Sequence, residues 1–183
     1  MTTSLLSDAF AHHIWATERL IDDCAALTPE QLQMPAPGTY GSIIDTLRHL
    51  VTADDWYLTF FREPTAPIDD EAEMSLAELQ SMTTSNGVAW TELLAGELDA
   101  DMDVVEHGDG WDLHGPLGLR LAQVIQHGTD HRSQICTALT RFGLAPPGID
   151  LWSFGEATGR TRSVYLSDRK PARTDGSREH HER

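Results

Sequence analysis

The sequence predicts an all-α protein: an antiparallel four-helix bundle, with a small β-hairpin before the fourth helix and a short helix near the C-terminal end. Three observations predict it. Four long stretches carry apolar residues at spacings of three, four and seven, the period of a helix with one buried face. Prolines and glycines punctuate the connections between those stretches. One short segment, around Gly108-Asp109-Gly110, alternates and turns instead.

The first helix is expected over residues 4–26, with Leu6, Phe10, Ile14, Ile21 and Cys24 forming its stripe. Trp15 falls off that stripe, among Asp8, Ala11, His12, Glu18, Arg19 and Asp22. A large aromatic there is either a singly exposed residue or an anchor in an interface between subunits. Pro29, Pro35, Pro37 and Gly38 mark a connection. The second helix is expected over residues 42–62, capped by Ser42, with Ile43, Ile44, Leu47, Leu50, Val51 and Trp56 on its buried side and Pro64 and Pro67 ending it.

The third helix starts at Ser75, which has capping-box spacing to Glu78, with Met74 placed to staple. Leu79, Met82, Trp90, Leu93 and Leu94 carry its apolar face, Gly87 weakens it, and it fades over residues 99–103. Residues 104–113 are expected to form the hairpin. Pro116 suits the first turn of the fourth helix, whose stripe runs through Leu117, Leu121, Val124, Ile135, Ala138 and Phe142 to a stop at Gly143. Asp150 is a cap for a short helix over residues 151–157.

The 183 residues fit one domain, expected over residues 1–162. Residues 163–183 are expected to be a disordered polar tail, since from Ser167 onward Ala172 is the one apolar residue and there is too little to bury against the entropy of ordering. Thirteen Lys and Arg against 29 Asp and Glu give a net charge of −16. That balance, without a basic cluster in the domain, excludes nucleic acids and anionic membrane surfaces as natural partners. No apolar run approaches the ~20 residues of a membrane span, and the N-terminal segment lacks the basic start of a signal peptide. A cytoplasmic location is expected. Cys24 and Cys136, both in helical stretches, read as small apolar residues and not as a disulfide.

The chemistry concentrates on the fourth helix, in Gln126-His127-Gly128-Thr129-Asp130-His131-Arg132-Ser133-Gln134. His127 and His131 are four residues apart, so both imidazoles stand one turn apart on the same side of a helix and can share one metal ion. His49, in Leu47-Arg48-His49-Leu50 on the second helix, offers a third ligand. Three imidazoles suit Zn, Ni, Cu or Fe and not Mg or Ca, and three protein ligands leave a coordination position open. The competing reading is three satisfied core histidines, and periodicity alone leaves the two about even. Gly128 stands where the helical zinc-protease signature carries its glutamate, so that signature is absent. Asp45, Asp130 and Gln134 are candidate hydrogen-bond partners for the ligand rings. Arg132 is either a surface charge or an anion contact. His13, three residues from Phe10, is placed to approach the core, and His107 and His114, which bracket the hairpin, are placed to reach a site mouth; with His12, each reads first as a surface or rim residue.

These segments resemble the DinB-like (DinB/YfiT-type) family of metal-binding four-helix bundles, from about residue 5 to residue 159. The resemblance is carried by Ile14-Trp15-Ala16 on the first helix, Leu47-Arg48-His49-Leu50 on the second, His127-Gly-Thr-Asp-His131-Arg-Ser-Gln-Ile on the fourth, and Asp150-Leu-Trp-Ser-Phe-Gly at the end. It implies one divalent transition-metal ion (Zn, Ni or Fe) held by His49, His127 and His131. It also implies metal-dependent transfer of a low-molecular-weight thiol, such as bacillithiol, mycothiol or glutathione, to electrophilic substrates, with Trp56, Trp111 and Trp152 as a dry wall. Homodimers are common in such bundles, and a homodimer is expected here. Two alternatives stand beside the transferase: a non-enzymatic, stress-related metal-binding bundle, and a metal-dependent hydrolase.

Overall fold

The computed structural model describes residues 5–62 and 73–164. Its elements, in order, are α1 (Leu5–Cys24), α2 (Pro29–Gln33), α3 (Ile43–Leu58), α4 (Leu76–Leu94), β1 (Asp103–Gly108), β2 (Trp111–Pro116), α5 (Leu117–Arg141) and α6 (Leu151–Ala157). Each of the four long helices packs on two others, in the ring α1–α4–α3–α5 and back to α1. This is the four-helix bundle the apolar stripes require.

The helix starts follow from side-chain caps that satisfy the first free N–H groups. Ser42 and Asp45 form a reciprocal capping box at α3, and Ser75 and Glu78 form another at α4. Asp150 accepts from the N–H groups of Trp152 and Ser153 at α6. At the far end of α5, Gly143 adopts φ 76°, and the Leu144 N–H turns back to donate to the Leu139 carbonyl. The hairpin pairs Gly108 with Trp111 across Asp109-Gly110, where Gly110 takes φ 78°. Pro116 serves as the N-cap residue of α5, just before its first turn.

Several sequence expectations are revised. α3 ends at Leu58 and not at residue 62, as Thr59, Phe60 and Phe61 close tight turns onto the carbonyls of Trp56, Tyr57 and Leu58. α4 ends at Leu94 and does not fade into residue 99. The connection after α1 holds a one-turn helix, α2, started by a Thr28–Gln31 capping box with Pro29 at its first position. Leu6 and Trp56, assigned to buried stripes, are 42% and 43% exposed. Pro64, Pro67 and the tail residues 165–183 lie outside the described residues.

Trp15 is half-buried and not freely exposed. α6 folds back over it, and the Trp15 and Phe154 rings meet edge-on at 5.6 Å. Arg160, just beyond α6, pairs with Asp8 of α1 and holds this end of the chain. Gly87 has a packing reason: a Cβ there would come within 2.9 Å of Ile14 Cγ2, so it lets α4 approach α1.

The core divides into two apolar layers. One gathers Leu20, Ile21, Ile43, Leu47, Val51, Leu79, Ile135 and Leu139. The other gathers Phe10, Tyr57, Leu58, Trp90, Leu117, Leu121 and Val124. On α1, α3 and α5 a polar stretch separates the two: His13 and Thr17, then Asp54, then Gly128 to Arg132. The site lies at this middle level. Among the described residues no helix is long and apolar enough to cross a membrane.

Candidate metal centre

α3 and α5 pack together, and each turns histidines into their shared seam. His49 comes from the second turn of α3; His127 and His131 are successive turns of α5. The three rings converge. His49 Nε2 and His131 Nε2 each lie 3.1 Å from His127 Nε2. Among the described residues these three form the one group of three or more His, Cys, Asp or Glu side chains whose ligand atoms all lie within 4.8 Å of one another. His131 is buried, and His49 and His127 are half-buried.

The donor set fits a divalent transition ion. Two nitrogens ~2.05 Å from a common metal and separated by the observed spacing subtend about 98°, within reach of a tetrahedral or octahedral arrangement. The protonation pattern fits as well. Burial, reinforced by the neighbouring rings of His131 and His49, pushes the His127 imidazole down to about 4, so it is neutral at physiological pH. Gln134 fixes the tautomer of His131. Its Oε1 accepts from the Tyr40 N–H at 2.9 Å, which sets the amide orientation, and the same oxygen lies 3.2 Å from His131 Nδ1. Nδ1 must therefore carry the proton, and Nε2 presents its lone pair to the shared point.

Two tyrosines frame the rings. Tyr40, in the loop before α3, stacks on His49 with centroids 4.0 Å apart and meets His131 edge-on at 5.5 Å. Tyr57, one side of a buried aromatic cluster, stands edge-on to His127 at 6.0 Å. Sequence reading missed both. Tyr40 sits in a Pro- and Gly-rich loop with no periodicity to flag it, and Tyr57 reads as an ordinary core residue.

Of the three expected partners of the ligand rings, Gln134 is the one seen to bond one of them. The Asp45 carboxylate accepts from the Ser42 N–H and hydroxyl in the cap of α3. Asp130 is exposed and accepts from Gln126. The tryptophan wall is also revised: Trp111 and Trp152 are 51% and 76% exposed.

The other histidines divide. His107 and His114 are exposed on the hairpin and pair with Asp112 and Asp103. His12 is half-buried and meets the Ile149 carbonyl. His13 is fully buried: the approach to the core that its spacing from Phe10 allows is realised, and the rim reading is not. Its Nε2 donates to Asp54 Oδ2 at 2.8 Å, and its Nδ1 accepts from Arg132 Nη1 at 2.9 Å. Arg132 is thus neither a surface charge nor an anion contact; it is 3% exposed.

A family model described as the DinB family matches residues 1–163. The chain belongs to the DinB family. The match spans all the elements above and includes His49, His127 and His131. No curated protein matches this DinB-family chain.

Proposed function

We propose that this DinB-family chain is a divalent-metal-dependent transferase that joins a low-molecular-weight thiol, of the bacillithiol, mycothiol or glutathione kind, to an electrophilic small molecule. The observation that carries the reading is the convergence of three imidazole nitrogens from two helices on one point, with three donors and not four. A Zn, Ni or Fe ion would be held by His49, His127 and His131 and would supply Lewis acidity that makes a thiol more acidic. The chain's own side chains orient and shelter. Gln134 holds the His131 ring, Tyr40 covers the His49 face, and Tyr57 closes the inner side of His127.

The chain's own thiols are poor nucleophiles, which supports an external one. Burial pushes the Cys24 thiol up to about 12, and burial also raises that of Cys136. A homodimer is part of the same proposal and rests on the family likeness.

The test is a thiol-dependent turnover screen. Protein reconstituted separately with Zn, Ni and Fe is offered each thiol with monobromobimane or chlorodinitrobenzene, and conjugates are measured by mass. Metal-dependent conjugation that disappears in His131→Ala is expected. Metal-loaded protein that forms no conjugate with any pair would overturn the transferase in favour of a non-catalytic metal-binding bundle. Hydrolysis of ester or amide substrates without any conjugation would favour the hydrolase.

A further inference from the structure

The polar layer across the middle of the bundle is not explained by stability. His13, Asp54 and Arg132 are 0%, 5% and 3% exposed. They come from α1, α3 and α5, and they lie between the two apolar layers. An arginine donates only, so the Arg132–His13 bond makes His13 Nδ1 an acceptor and leaves its proton on Nε2, facing Asp54. The result is a chain of charge-assisted bonds, Arg132 to His13 to Asp54, with Thr17 Oγ1 accepting a second bond from Arg132 Nη1 at 3.2 Å. Buried ion pairs are commonly neutral or unfavourable for stability beside apolar residues of the same volume; their best-attested use is to fix register.

The register fixed here is that of the metal centre. Arg132 follows His131 directly. Gly128 follows His127, and a Cβ on it would fall 2.2 Å from His13 Cε1, so the His13 ring lies against the backbone beside that ligand. Asp54 stands on α3, the helix that carries His49. We infer that His13 is a positioning residue: its two ring bonds lock α5 to α3 through α1 so that the Nε2 atoms of His49, His127 and His131 meet at one point. The inference rests on the metal-centre reading and concerns only geometry. His13 touches neither metal nor substrate.

The test uses the full-length protein with Co(II) as a spectroscopic probe, read by its visible d–d bands and by affinity in chelator competition. Folding is followed separately by circular dichroism. His13→Leu keeps the volume but removes both bonds. It is expected to stay helical, to bind Co(II) at least 10-fold more weakly, and to shift the d–d bands. His13→Gln, whose amide can donate to Asp54 and accept from Arg132, is expected to recover most of the affinity and the wild-type bands. A folded His13→Leu protein with wild-type affinity and bands overturns the inference, whatever it does to thermal stability. Should that variant not fold, His13→Met takes its place: its flexible side chain refills the space and likewise lacks both ring bonds. The same loss of affinity is then required, and no change overturns the inference. Wild-type protein that binds no Co(II) overturns the metal-centre reading and this inference together.

Discussion

Gly128 stands between the two histidines of the α5 motif, and its replacement by alanine gives the sharpest test of the packing behind the site. On an isolated helix the change would stabilise by about 1 kcal/mol, because alanine loses less backbone entropy than glycine. Here the new Cβ would meet His13 Cε1 at 2.2 Å, His13 Nδ1 at 2.5 Å and Arg132 Nη1 at 2.8 Å. None of these atoms is the free end of an exposed side chain; His13 and Arg132 are both buried and bonded on the far side. Overpacking a core by one methyl costs about 1–3 kcal/mol, and breaking one partner out of a buried charged network costs about 3–5 kcal/mol. The two costs overlap, and the helix gain offsets part of them, so a net loss of about 3 kcal/mol is expected.

For a domain of this size that loss corresponds to a drop in Tm of about 6–12 °C. Urea unfolding of the metal-free protein, followed by circular dichroism, reads it directly. Gly87→Ala is the control. Its Cβ would meet Ile14 Cγ2 at 2.9 Å, a methyl that can move aside, so a change within about 1 kcal/mol is expected. A Gly128→Ala protein as stable as wild type, or more stable, would refute the placement of His13 against α5.

Four further outcomes follow from the same geometry. His131→Ala is expected to abolish stoichiometric metal binding, measured by metal analysis after desalting, at a smaller stability cost than the ~2–5 kcal/mol of a core Leu47→Ala change. The folded His127 imidazole, at about 4, lies below its unfolded value near 6.5. Its neutral form is therefore favoured by folding, and the urea midpoint of the metal-free protein should hold above 6.5 and fall as pH drops from 6.5 towards 4, less steeply in His127→Gln. A thiol reagent at pH 8 should modify Cys136 before Cys24, which is fully buried and held up to about 12; equal rates in native protein would contradict the core packing of α1. Trp15→Glu is expected to cost about 1–2 kcal/mol by uncovering Phe154 and loosening α6. Sedimentation at micromolar concentration should still show a dimer in that variant, and a wild-type monomer would refute the homodimer.

Sequence alone determined what is local. Helix periodicity, caps at Ser42, Ser75 and Asp150, and the glycine stops at Gly110 and Gly143 are short-range signals, since a helix or a turn is closed by bonds within a few residues. The pairing of His127 with His131 was legible for the same reason: four residues on a helix set their spacing whatever surrounds them. Even the missed α2 had its local sign in Thr28-Pro29-Glu30-Gln31, read as a break because proline both ends helices and starts them. Tertiary structure decided everything that depends on a partner distant in sequence. The spacing of His13 from Phe10 hints at the core, but its partners Asp54, 41 positions away, and Arg132, 119 positions away, are found only in the fold. Tyr40 acquires a place beside the three histidines only in the fold, where Gln134, 94 residues further on, accepts from its backbone. Trp15 meets Phe154, 139 positions away, by the same route. Periodicity tells which side of a helix is buried; which polar groups meet there depends on how separate helices are registered against one another, and that is set by packing over the whole bundle.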